Sequence, residues 1–136
     1  MESGRNQENN HIKIMVIEDD PNLVSLITTL LDLEGFNVSA PQNHYRSNIL
    51  EIFHTHRPHV ALVDANLAGG SGLDLVSAIR AEPGLEDTCI LMTSGMNLKK
   101  ECLQSGADAF IQKPFMPDEL ISLINKSYKP TITNQK

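Results

Sequence analysis

A chain of 136 residues has room for one domain with a packed core and too little for two of ordinary size. Hydrophobic residues make up 40% and charged residues 21%, an ordinary soluble balance, and no apolar run approaches the ~18 residues needed to span a bilayer. The net charge of -6 argues against a nucleic-acid-binding surface on this domain, because phosphate backbones demand clustered Lys and Arg.

Residues 1–10, "MESGRNQENN", are polar, carry nothing resembling a secretory signal, and read as a disordered or tag-like lead-in. The ordered domain is expected over 11–128 and a polar tail or linker over 129–136. It begins with the apolar run "IKIMVI" (12–17), followed by "EDD" (Glu18, Asp19, Asp20) and the segment "PNLVSLITTLLDLEG". There Leu23, Leu26, Ile27, Leu30, Leu31 and Leu33 recur at helical spacing between Pro21 and Gly35, and Asp20 sits where a helix takes its amino-terminal cap. A short run, "FNVSA" (36–40), precedes a weaker helix over 44–56. Then comes "HVALVD" (59–64), which ends on Asp64 before the turn "ANLAGGSG" and a third helix in "LDLVSAIRAEP". "CILMTS" (89–94), a helix in "NLKKECLQSG", "AFIQK" (109–113) and a helix in "PDELISLINKSY" complete the chain.

Strand and helix thus alternate five times, and the inner apolar runs are nearly continuous, as suits strands covered on both faces. This pattern implies parallel strands joined by right-handed helical crossovers, an α/β three-layer sandwich. Cys89 and Cys102 lack the C-x-x-C spacing of a zinc or redox site and read as reduced thiols of a cytoplasmic protein. Of the histidines His44, His54, His56 and His59, His54 and His56 would face different directions on a helix, so solvated or packing roles are expected.

In such sheets ligands gather beyond the carboxyl ends of the strands. Those ends carry Glu18, Asp19 and Asp20, then Asp64, then Thr93 and Ser94, then Lys113. Asp64 alone could be a cap, a metal ligand or a nucleophile. Gathered acids repel one another, and a divalent cation with hard oxygen ligands removes the repulsion, so Glu18, Asp19 and Asp64 look like a magnesium site. An aspartate oxygen can also attack phosphorus to form an acyl phosphate, with Mg²⁺, the Lys113 ammonium and the Thr93 hydroxyl neutralising and positioning the phosphoryl group. "GGSG" lacks the G-K-[ST] continuation of a nucleotide-binding loop and reads as a turn.

The segments "IMVIEDDP", "VALVDANLAGGSGLDL", "ILMTSG" and "AFIQKPF" together resemble, in order and spacing, the signature segments of the response-regulator receiver domain, over roughly residues 12–127. The resemblance implies a flavodoxin-like, five-stranded parallel sheet of order 2-1-3-4-5 with five helices. It further implies that Asp64 accepts a phosphoryl group from a histidine kinase or phosphotransfer protein. Glu18 and Asp19 would help hold Mg²⁺, the Asn66 backbone carbonyl would be another ligand, and Thr93 and Lys113 would bind phosphoryl oxygens. Phe110 takes the place of the aromatic switch residue, and the Lys113–Pro114 bond is expected to be cis. On this reading the chain is a cytoplasmic signalling switch and not an enzyme, with autocatalytic phosphoryl acceptance and loss only. A downstream effector domain or protein would read it, and a dimer formed on phosphorylation is a further expected output. A Mg²⁺-dependent phosphatase is the competing enzyme reading, although so short a chain leaves little room for a substrate-selecting cap. The loop after Asp64 has Ala68 where the family commonly has proline, and Gly95 leaves the phosphoryl pocket less covered than a larger residue would.

Overall fold

The computed structural model describes residues 11–41, 46–67 and 70–129, without the side chains of Arg46 and Ser47. The expected lead-in, most of the expected tail, His44 and Ala68 lie outside the described residues. Among the described residues, seven strands and five helices follow in chain order: β1 (Lys13–Ile17), α1 (Pro21–Leu33), β2 (Asn37–Ser39), α2 (Arg46–His56), β3 (Val60–Asp64), β4 (Asn66–Leu67), β5 (Gly70–Ser71), α3 (Gly72–Ala81), β6 (Cys89–Ser94), α4 (Lys99–Ser105), β7 (Ala109–Gln112) and α5 (Pro117–Ser127). The main sheet is parallel in the order β2-β1-β3-β6-β7, and β4 and β5 form a small antiparallel pair of their own. Leaving that pair out of the count, the main sheet has the expected order 2-1-3-4-5.

Successive side chains on a strand point to opposite faces, and here both faces are apolar. Met15, Ile17, Ala61, Val63, Ile90 and Met92 meet Ile49 and Phe53 of α2, Val76 and Ile79 of α3 and Cys102 of α4. Ile14, Val16, Val60, Leu62 and Leu91 meet Ile27 and Leu31 of α1 and Leu120 and Ile124 of α5. The three central strands therefore have almost no tolerance for polarity until they reach their ends. Both cysteines are free and buried.

Local chemistry starts and stops the helices near the expected places. Asp20 caps α1 by accepting the Asn22 N–H at 2.9 Å, with Pro21 in the first turn. Ser71 caps α3 by accepting the Leu73 N–H at 3.1 Å. Gly106, at φ 121°, ends α4 in a conformation that a side chain would strain. The apolar stripe of α1 is broader than its buried face, for Ile27 and Leu31 are inside while Leu26 and Leu33 remain 61% and 60% exposed. The turn expected after Asp64 contains the β4–β5 pairing, Asn66 opposite Ser71 and Leu67 opposite Gly70. No helix among the described residues is long and apolar enough to cross a membrane.

Candidate functional site

The sheet order reverses at β1, so the crevice between the carboxyl ends of β1 and β3 is where this architecture exposes a ligand site. Glu18 follows β1 and Asp64 closes β3, and both are buried, at 6% and 5% exposure. One ammonium serves both: Lys113 Nζ lies 2.9 Å from Asp64 Oδ2 and 3.1 Å from Glu18 Oε1. The bond to Asp64 is a well-directed hydrogen bond, whereas Glu18 Oε1 is ion-paired without one. Glu18 Oε2 accepts the Asp20 N–H at 3.2 Å.

Backbone pairing sets these positions. Ile17 stands beside Val63 and Asp64 beside Thr93, and the ladder runs one step further through Ala65 N–H to Thr93 O at 2.8 Å. Lys113 is fixed in turn by its N–H donating to Ser94 O at 2.8 Å, and the Lys113–Pro114 bond is cis. Gly72 allows α3 to start hard against β3. Its N–H donates to Ala65 O at 2.8 Å, and a Cβ placed on it would lie 2.0 Å from Asp64 O.

Electrostatics follow from the count of charges, two carboxylates around a single ammonium. Burial, reinforced by repulsion from Asp64, holds the Glu18 carboxyl above the usual glutamate pKa, although the Asp20 N–H and Lys113 pull the other way. For Lys113 burial alone would lower the pKa, but the hydrogen bond to Asp64 and the charges of Asp64 and Glu18 outweigh it and hold the ammonium above its usual range. Thr93 is 1% exposed, and its Oγ1 has no hydrogen-bond partner.

The expected site residues distribute as follows. Glu18, Asp64 and Lys113 meet directly, and Thr93 is the strand neighbour of Asp64. Asp19 is exposed at the same strand tip. Asn66 lies at the start of the hairpin, where its N–H donates to Asp64 Oδ1 at 3.0 Å and its Nδ2 to Ser94 Oγ at 3.2 Å. Phe110 pairs with Met92 in β7 and packs, half-buried, against the α2–α3–α4 side of the core. Three contributors lay outside the expectation: the Asn66 side chain, Ser94 as its partner, and Gly72 as the residue that lets helix and strand approach. For Gly72, the placement of a small residue at the first helical position after Asp64 is a usable signal; the Asn66–Ser94 bond spans 28 positions and leaves no periodic trace.

Two of the described histidines have partners away from this site: His54 pairs with Glu82 at 2.8 Å, and His59 Nδ1 accepts the Lys13 N–H at 2.9 Å. No three carboxylate, imidazole or thiolate side chains converge as a metal cluster among the described residues. Magnesium does not require one, because it keeps several waters and takes one or two carboxylates. The donors at this edge are all hard oxygens. Glu18 Oε1 lacks a directed hydrogen bond, and one negative charge is left over after Lys113, so the residues fit such an ion.

Comparison with known proteins identifies the family. Residues 14–125 match the family model of the response regulator receiver domain. The DNA-binding response regulator MtrA of Mycolicibacterium smegmatis is 32% identical over 114 residues, covering 82% of this chain and 48% of that protein. The chain spans about half the length of the curated relatives it matches. Among solved structures, chemotaxis response regulator CheY4 of Vibrio cholerae superposes with a TM-score of 0.78 at 22% identity, covering 86% of this chain and 98% of that one. The BeF3-activated N-terminal receiver domain of Klebsiella pneumoniae RstA does so at 0.75 and 23%, covering 85% and 97%. Those two likenesses speak for the fold, and the family match for membership: the chain belongs to the response regulator receiver domains, the phosphorylation-dependent switches of two-component signalling.

Proposed function

We propose that Asp64 is the phosphoryl acceptor of this receiver domain and that a phosphohistidine on a sensor histidine kinase or phosphotransfer protein is the donor. The observation that carries this reading is the pairing of Lys113 with a buried Asp64 beside a buried Thr93 hydroxyl that has no partner. An Asp64 carboxylate oxygen attacks phosphorus, the P–N bond to imidazole breaks, and an acyl phosphate forms while the imidazole leaves with its electron pair. Both Asp64 oxygens are oriented before the donor arrives, Oδ1 by the Asn66 N–H and Oδ2 by Lys113. After transfer Lys113 pairs with a phosphoryl oxygen and Thr93 donates its hydroxyl proton to another. Glu18, Asp19, Asp64 and the Asn66 main-chain carbonyl would hold Mg²⁺, which when bound neutralises charge on the transferring group.

Drawing Thr93 toward the phosphoryl group shifts the domain between two packings, with Phe110 moving its ring on the adjacent strand. A downstream effector, covalently joined or separate, or a second copy of the domain reads the altered α4–β7–α5 surface in the cytoplasm. The chain acts as a switch that accepts and loses the group autocatalytically, and it turns over no external substrate. Intact-mass measurement with acetyl phosphate and Mg²⁺ tests the assignment: wild type should gain one phosphoryl mass and Asp64→Asn none. Equal labelling of the variant would refute it, and multiple turnover on small phosphate esters would favour a phosphatase.

A further inference from the structure

Asn66 makes two bonds at the site that a backbone ligand alone would not need. Its N–H donates to Asp64 Oδ1 at 3.0 Å, and its carboxamide Nδ2 reaches Ser94 Oγ at 3.2 Å. Ser94 is wholly buried, its oxygen also accepts the Met96 N–H at 3.1 Å, and its main-chain carbonyl accepts the Lys113 N–H at 2.8 Å. One serine thereby ties together the three loops that follow β3, β6 and β7. We infer that Ser94 and the Asn66 side chain act as positioning residues that aim the Asn66 main-chain carbonyl at the metal; this rests on the assignment of Asp64 and its magnesium site given above.

Peptide geometry makes the case. The Asn66 N–H belongs to the peptide plane shared with Ala65, while the Asn66 carbonyl belongs to the plane shared with Leu67, and the two are free to rotate about the Asn66 Cα. The bond to Asp64 therefore fixes the first plane and leaves the second undetermined. Holding the side chain at Ser94 fixes a second substituent of the tetrahedral Cα, so the direction of the third, the Cα–C bond, is set. The remaining rotation is limited by the β4–β5 pairing, Asn66 opposite Ser71. Exchanging the amide oxygen and nitrogen would make Ser94 the donor and keep the same tie. Orienting partners of this kind govern metal affinity, typically by ten- to a hundredfold on removal.

The proposed ligand is a main-chain oxygen, which no substitution deletes, so any change in affinity reports its orientation. Magnesium chloride titrated calorimetrically into the unphosphorylated protein should show ~10-fold weaker binding for Ser94→Ala and for Asn66→Ala, the low end of that range for a neutral hydrogen bond. The double variant should match either single one, because each cut severs the same tie. For Ser94→Ala the Mg²⁺ concentration at half-maximal phosphorylation should rise by the same factor, and raising Mg²⁺ should restore the rate. Unchanged affinity in both single variants, or a double variant as weak as the product of the two, would overturn the inference while leaving Asp64 as acceptor. Asn66 is exposed, so its variant remains informative if Ser94→Ala unfolds. A wild-type protein that binds no Mg²⁺ and takes up no phosphoryl group would overturn both proposals.

Discussion

Replacing Gly72 by alanine tests directly whether the start of α3 holds the proposed phosphoacceptor, Asp64, in place. The added methyl would lie 2.0 Å from Asp64 O and 2.9 Å from Ala65 Cα, both main-chain atoms that no rotamer change can move aside. Relief requires α3 and the tip of β3 to separate by about 1 Å, and overpacking of that kind costs ~3 kcal/mol at the upper end of the usual range. Alanine's better helix propensity returns at most about 1 kcal/mol, leaving a net loss of ~2 kcal/mol and a melting temperature lower by about 8 °C for a domain of this size. Because the displaced atom belongs to Asp64, phosphorylation by acetyl phosphate should fall about 100-fold, the usual consequence of a 1 Å misplacement. Circular dichroism melts and intact-mass time courses measure the two effects, with Gly95→Ala as control for the melts alone, since nothing lies within 4 Å of a Cβ there. Gly72→Ala melting at or above wild type would refute the reasoning, because propensity alone predicts a small gain.

Thr93→Val removes a buried hydroxyl that has no partner, so the unphosphorylated protein should gain about 1 kcal/mol, read as a higher melting temperature, while its phosphorylation slows; a loss of stability would mean the hydroxyl is satisfied after all. Burial, with the charges of Lys13 and His11, holds the His59 pKa below its usual value, and neutral Nδ1 accepts the Lys13 N–H. The unfolded chain then binds the proton more readily, so this stabilisation is complete above the unfolded pKa of about 6.5 and declines as pH falls through the lowered folded value. His59→Asn keeps an acceptor without the titration, and its melting temperature should fall less than that of wild type between pH 7.5 and pH 5; parallel profiles would exclude His59 as the source. Gly95→Leu should lengthen the lifetime of the aspartyl phosphate severalfold by covering the pocket from water, and an unchanged decay of label on a mass time course would show that Gly95 does not gate it.

The inner strands were legible because burial on both faces demands uninterrupted apolar residues, and β6 begins and ends where its run does, at Cys89 and Ser94. The acids at the site were legible for the complementary reason: Glu18 and Asp64 interrupt such runs where the core would reject them. Edge strand β2, only three residues long, has too little length for its pattern to fix its ends, and α4 starts at Lys99 although its apparent pattern starts at Asn97. The exposure of Leu26 and Leu33 was hidden because helical spacing identifies an apolar stripe without stating how wide a neighbour covers it. Pairing of β4 with β5 and the Asn66–Ser94 bond are set by loops meeting in space, and neither imposes a repeat on the chain.

The two edges of the sheet differ in a way that locates function independently of any motif. At the amino-terminal edge, Arg80 donates to Gly106 O at 2.7 Å, Thr88 O at 2.8 Å, Glu86 O at 3.0 Å and Asp108 Oδ2 at 2.8 Å, and Asp108 also accepts the Ile90 N–H. Polar groups matched to one another in this way are what a fold retains for structure. At the carboxyl-terminal edge stand Glu18 Oε1 and Thr93 Oγ1, the buried side-chain polar atoms without a hydrogen bond among the described residues. An orphaned polar atom such as Thr93 Oγ1 lowers stability by roughly 1–3 kcal/mol, Glu18 Oε1 has only its ion pair with Lys113, and both flank Asp64, the buried aspartate that is paired with Lys113. A group bringing negative oxygens to Thr93 and a cation bringing positive charge to Glu18 would satisfy both at once. On the proposed assignment, phosphorylation at Asp64 would therefore give the Thr93 hydroxyl the acceptor it lacks in the unmodified domain.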